Sequence, residues 1–208
     1  MATILRGKFS LQLKISISYI AIILLILVLM NTYPLLVSQD LVFRAKHTTL
    51  QSGAAAINAA VTGLDELTEE TVAQAMADLE PNGISRAIVT DRYGKVLYDT
   101  REAGNATGYY VFYTELVQAL RGNNAVYSVY QEGAFHSSAA QPVLYRNQII
   151  GGVYVYEYDT QQADLLETLQ GNLMRISLGL AALVLVLSMV FSRSIAKRVA
   201  SLQTAIRG

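Results

Sequence analysis

Two uncharged apolar stretches constrain this chain more than any other feature. Ile15 to Tyr33 holds no charged residue and includes the unbroken run from Ile20 to Met30. Leu173 to Phe191 is interrupted only by Arg175, close enough to the helix end to snorkel to the interface. A helix rises 1.5 Å per residue, so each stretch reaches roughly 28 Å, the thickness of a bilayer core. Both are expected to span a membrane, with residues 1–14 before the first helix and residues 34–172 between the two. Composition agrees: charged residues are 15% of the 208, well below the roughly 25% of soluble domains. The first stretch is longer than a signal-peptide core, and no small-x-small site follows in Asn31-Thr32-Tyr33-Pro34-Leu35. An uncleaved anchor at 15–33 and a second span at 173–191 are therefore expected.

The formal net charge is zero, yet the charges are sorted. Arg6, Lys8 and Lys14 precede the first span, and Arg193, Lys197, Arg198 and Arg207 follow the second, in both cases with no acid among them. All sixteen acidic residues lie between the spans, with eight basic ones. Short basic flanks predict both termini in the cytoplasm and residues 34–172 outside a bacterial cell membrane. The balanced sum excludes a generally basic nucleic-acid binder. The absence of cysteine excludes disulfides, thiolate zinc sites and iron–sulfur clusters.

Between the spans the hydrophobic period changes twice. Leu36, Phe43, Leu50 and Ile57 repeat every seven residues, with Asp40, His47, Ala54 and Val61 four residues after each. This predicts a stalk helix over 34–66, its seam packing on a domain or on a second copy of the chain. Asp40 and His47, one heptad apart, are either a pH-sensitive pair or solvated side chains. Thr68 reads as an N-cap, followed by Glu69 and Glu70 and an apolar face of Val72, Met76 and Leu79. The acids Asp65, Glu66, Glu69 and Glu70 fit a helix start better than a cation site.

From Gly83 the pattern is that of strands. Ile84–Thr90 and Lys95–Tyr98 flank the turn Asp91-Arg92-Tyr93-Gly94. A helix over Thr114–Arg121 and strands over Ala125–Gln131, Phe135–Tyr145 and Ile149–Tyr158 follow. The fold class is α+β, one antiparallel sheet with flanking helices over 67–160. A connecting helix at 161–172 returns the chain to the membrane.

The stretch Ile88-Val89-Thr90-Asp91-Arg92-Tyr93-Gly94-Lys95-Val96-Leu97-Tyr98-Asp99 resembles the aspartate-x-x-glycine-x-valine hairpin of extracytoplasmic PAS-like (Cache) sensor domains. Ala140–Leu144 and Ile149–Val155 resemble the final hairpin of the same domains. That resemblance implies a pocket on one sheet face, under the segment linking the second and third strands. Candidate ligand-binding residues are then Arg101, Tyr109, Tyr110, Tyr113, Tyr130, His136, Arg146 and Tyr154. Tyrosine joins an apolar ring to a hydroxyl and suits a small polar ligand, though it also suits any half-buried strand. Arg86, Arg101, Arg146 and His136 are the groups able to pair a ligand carboxylate. Tyr154, Tyr156 and Tyr158 alternate and so share one face.

Beyond the second span, Ile195, Val199, Leu202 and Ile206 form an amphipathic stripe. It lies about one residue, roughly 100° of rotation, off the seam that runs through Leu166, Leu169 and Leu173. Residues 192–208 resemble the first helix of a HAMP linker, with Arg198 where that family commonly has proline.

No nucleophile elbow, phosphate-cradling glycine loop or zinc-helix motif is present, so no catalytic residue, metal or cofactor is expected in this chain. The resemblances imply the N-terminal sensor region of a bacterial sensor histidine kinase. Its partners would be membrane lipid, a parallel homodimer partner, a small extracytoplasmic ligand and, through the full-length kinase, a response regulator. The alternatives are the input half of a chemoreceptor or cyclic-dinucleotide enzyme, or a stand-alone membrane interaction protein.

Overall fold

The computed structural model describes residues 11–64, 66–77, 79 and 83–207, with 11–16, Leu35, Met189 and 191–207 by backbone alone. Arg6, Lys8, Asp65, Asp78 and Glu80 lie outside the described residues, as do the side chains of Lys14, Arg193 and the stripe from Ile195 to Ile206. The elements are α1 (Leu11–Val61), α2 (Glu69–Met76), β1 (Arg86–Asp91), β2 (Val96–Asp99), α3 (Thr114–Leu120), β3 (Ala125–Gln131), β4 (Ala134–Tyr145), β5 (Gln148–Asp159) and α4 (Gln161–Arg207). They form two compact units. One comprises the chain up to Ser38 and from Leu166 onward, the other Gln39–Leu165.

In the first unit, α1 and α4 are both long and apolar enough to cross a membrane. Most of the described large apolar side chains of the two helices are exposed on the protein, among them Ile22, Leu25, Val28 and Met30 on α1 and Met174, Leu178, Leu183 and Val190 on α4. A helix apolar all round with most of its large side chains uncovered is what lipid requires and water penalises. The chain is accordingly that of a membrane protein. Asn31 Nδ2 donates to the Leu27 carbonyl (2.8 Å) and to Ser177 Oγ on α4 (2.5 Å). Pro34 lies inside α1, where it withholds one backbone N–H without ending the helix. Where a new helix was expected to resume after Pro34 and run to 66, a single helix continues through it and stops at Val61.

The second unit is built on a five-stranded antiparallel sheet in the order β2-β1-β5-β4-β3. On one face pack the later turns of α1 and the short α2. Leu50, Ala54, Ile57 and Val61 are fully buried against Val89, Val143, Val153 and Val155. Each such side chain contributes about 1.5–3 kcal/mol of apolar burial. Phe43 meets Phe135 edge-to-face, with ring centroids 5.4 Å apart. The seven-residue seam is thus satisfied by the sheet at Phe43 and from Leu50 onward, whereas Leu36, Asp40 and His47 are exposed. Asp40 pairs with Arg44 one turn on (2.8 Å), not with His47.

Local signals explain the smaller elements. Thr68 caps α2 through a reciprocal pair of bonds with Thr71, and Val72 and Met76 are buried. In the β1–β2 turn, Asp91 Oδ1 accepts the amides of Tyr93 (2.8 Å) and Lys95 (2.9 Å). Gly94 has φ +87°, and a Cβ there would stand 3.0 Å from the Val111 carbonyl oxygen. Both the conformation and the space call for glycine.

Candidate ligand-binding site

The second sheet face carries α3 and the segment 100–113. Its apolar part is Ile88, Val96, Leu116, Ala119, Ala140 and Tyr154. Beside it opens a cavity of about 610 Å³, lined by Ser85, Arg86, Arg101, Tyr113, His136, Tyr154, Tyr156 and Tyr158. Period-2 alternation produces it: β5 turns its three tyrosines to this face and Val153 and Val155 to the other. Register does the rest, placing Tyr156 opposite both Arg86 on β1 and Ser138 on β4. A neighbouring recess shares Tyr113, His136, Tyr154 and Tyr156 and adds Glu115, Tyr127 and Ser138.

The charge in the cavity is organised around Asp99. Arg86 donates from Nε (3.0 Å) and Nη2 (2.6 Å) to its two carboxylate oxygens. The amides of Arg101 (3.1 Å) and Ala106 (2.9 Å) donate to the same oxygens. Burial opposes ionisation of Asp99, but Arg86 and the two amides outweigh it and hold the carboxyl below its ordinary range. In return the Asp99 hydrogen bond raises Arg86 against the opposing effect of burial. Tyr113 stacks on Tyr154 with centroids 4.7 Å apart. Burial, helped by the charge of Glu115, pushes the Tyr154 hydroxyl up to about 12. Tyr156 is raised by burial and by Tyr158, while the charge of Arg101 pulls it back. His136 Nδ1 lies 2.8 Å from the Tyr156 hydroxyl, and its ring meets Tyr158 edge-on.

Of the candidates read from sequence, the fold brings together Arg101, Tyr113, His136 and Tyr154. Tyr109 and Tyr110 are exposed along the β2 edge, where the Tyr109 carbonyl accepts the Val96 amide (2.8 Å) and Tyr110 bridges to Lys95. Tyr130 belongs to the opposite sheet face, tilted on Phe135 at 5.1 Å. Arg146 sits in the β4–β5 turn with its guanidinium over Tyr145. Ser85 carried no sequence signal, and Asp99 entered only as the last residue of the hairpin stretch. Tyr156 and Tyr158 did, through their alternation with Tyr154.

The other face of the same strand end holds a second charged group. Lys46 of α1 donates to Glu157 Oε1 (2.5 Å) and to Asp159 Oδ2, and all three side chains are nearly buried. Burial raises Asp159, but Lys46 and the amides of Gln162 and Gln161 prevail and lower it. Asp159 Oδ1 also accepts the Gln162 amide (3.1 Å) at the start of α4. Glu157 Oε2 is buried without a partner.

No family model and no curated protein matches this chain. Among solved structures, it is similar to the sensor domain of the V. cholerae histidine kinase DctB, at 16% identity and TM-score 0.47, over 67% of this chain and 59% of that one. The E. coli DcuS sensor domain is similar at 16% identity and TM-score 0.34, over 58% of this chain and 98% of that one. The ligand-binding domain of the Campylobacter jejuni chemoreceptor Tlp3, in complex with 4-methylisoleucine, is similar at 14% identity and TM-score 0.41, over 66% and 63%. These three neighbours are sensor domains of histidine kinases and of a chemoreceptor. The chain spans 59% of the length of the DctB structure, and no residue role passes across at these identities.

Proposed function

We propose that this chain is the input module of a bacterial two-component sensor histidine kinase, sensing a small anionic molecule outside the cell membrane. The carrying observation is the cavity on the second sheet face. It is ringed by tyrosine hydroxyls, two of its lining residues are arginines, and none is an acid. Such a site suits a polar ligand bearing a carboxylate. The cavity belongs to a unit that chain order places between two apolar helices, and β5, which builds one wall, runs within two residues into α4. A ligand seated on Tyr156 and Tyr158 therefore bears on the strand that leads directly into α4.

In this reading both termini are cytoplasmic, residues 34–172 are extracytoplasmic, and residues 192–208 begin a HAMP linker. The module works as a parallel homodimer whose kinase passes phosphate to a response regulator. The domain limits follow the sequence reading: spans at 15–33 and 173–191, a stalk at 34–66, the sensor domain at 67–160 and a connecting helix at 161–172.

The test is a thermal-shift screen of the full chain in detergent micelles against small carboxylates. A stabilising ligand whose effect vanishes in Arg101→Gln supports the proposal. No shift across the panel refutes the small-anion signal. Fusing the chain to a histidine-kinase output domain and measuring ligand-dependent autophosphorylation tests the output. Reporter fusions at each terminus test the topology.

A further inference from the structure

The cavity has two arginines but only one positive charge to offer. Arg86 is already committed: its two short bonds go to Asp99, whose side chain is fully buried. The Asp99 oxygens also take the Arg101 and Ala106 amides, so that carboxylate holds four donors and has no water in reach. Drawing Arg86 toward a ligand would orphan a buried carboxylate, among the costliest changes available to a protein interior. The Arg86–Asp99 pair therefore enters ligand binding as a neutral unit.

Arg101 is different. Its side chain is exposed, it makes no ion pair among the described residues, and its backbone is pinned to Asp99 at the cavity rim. Its charge is felt at Tyr156, inside the cavity. The other groups facing the space are the hydroxyls of Tyr113, Tyr154, Tyr156 and Tyr158, Ser85, whose Oγ accepts the Tyr158 amide, and His136, which is bonded to Tyr156. Glu115, in the adjoining recess, adds a negative charge and already raises Tyr154.

Resting on the small-anion reading, we infer that the site selects a ligand with a single carboxylate, held by Arg101, over one with two. The rest of such a ligand meets tyrosine hydroxyls and rings, which favour a neutral polar or apolar body. A second carboxylate would be desolvated with no free cation to pair it and with Glu115 nearby.

Isosteric pairs test this without changing ligand size. Titration calorimetry on the full chain in micelles compares succinamate with succinate and glutaramate with glutarate. The monoamide of a pair is expected to bind at least roughly tenfold tighter, the scale of one unpaired buried polar group. The diamide should not bind, and Arg101→Gln should abolish monoamide binding without moving the melting temperature. A dicarboxylate that binds as tightly as its monoamide overturns the inference and leaves the small-anion reading standing. If no carboxylate of any charge binds, both fall.

Discussion

Replacing Lys46 with methionine keeps the length of the side chain and removes only its charge. Glu157 and Asp159 then remain side by side, 13% and 14% exposed, with no cation, and one Glu157 oxygen already lacks a partner. Removing one partner of a buried ion pair costs about 3–5 kcal/mol, a large share of the roughly 5–15 kcal/mol that stabilises a domain. For a unit of this size that lowers the melting temperature by about 10–20 °C. The readout is near-ultraviolet circular dichroism on the full chain. There is no tryptophan, and eleven of the thirteen tyrosines lie between Tyr93 and Tyr158, so the signal reports the sheet rather than the spans. Two further measurements separate the charge argument from simple loss of packing. The triple variant Lys46→Met, Glu157→Gln, Asp159→Asn should recover most of the lost stability, because no buried charge is left over. The deficit of Lys46→Met should also shrink as pH falls. In the wild type Lys46 helps hold Asp159 below its ordinary value, so its contribution is present above that value and is lost as pH drops through the folded one. A change below about 1 kcal/mol, the range of an exposed pair, or a triple variant no better than the single one, would refute the reasoning.

The Arg86–Asp99 pair follows the same sign. Its stabilisation is full above the ordinary carboxyl value of 3.8 and is lost as pH falls through the lower folded value, so the gap between wild type and Asp99→Asn in acid denaturation should narrow below about pH 4. A Cβ at Gly151 would lie 2.1 Å from the Thr90 carbonyl oxygen, whereas one at Gly152 meets first the end of the Leu116 side chain at 2.8 Å. Gly151→Ala should therefore cost more than the roughly 1–3 kcal/mol of ordinary overpacking and Gly152→Ala less than Gly151→Ala, measured by chemical denaturation. A double-mutant cycle of Asn31→Val with Ser177→Ala, followed by unfolding in sodium dodecyl sulfate, should give a coupling of about 0.5–1.7 kcal/mol. Zero coupling would remove the interhelical bond.

Much of the fold was legible because its signals are local. Thr68 before an acidic turn, the aspartate and glycine of the β1–β2 hairpin, and the alternating tyrosines of β5 each carry their structure within a few residues. What stayed hidden depends on pairing across the chain. Nothing near β1 says that it lies beside β5 rather than only β2, and that register is what faces Arg86 with Tyr156. Lys46 meets Glu157 across 111 positions of sequence, so its burial had no local trace. The seam of α1 was visible as a period, but a period does not reveal that its partner is a sheet. Among the candidate ligand residues, Tyr130 and Tyr154 looked equivalent by composition. Strand parity separates them, since Tyr130 faces Phe135 and Tyr154 faces Tyr113.

β5 also carries a constraint on how the gene can change length. From Val153 onward its odd-numbered positions serve the helix side, ending in the Glu157 and Asp159 that hold Lys46, and its even-numbered positions serve the cavity. Deleting or inserting one residue here exchanges the two sets: the acids enter the cavity and the tyrosines are driven against α1. Change by two preserves both. Length variation in this strand therefore keeps both faces only in even steps, or where a local register shift like the one between Val143 and Leu144 absorbs the odd residue, whichever ligand the cavity receives.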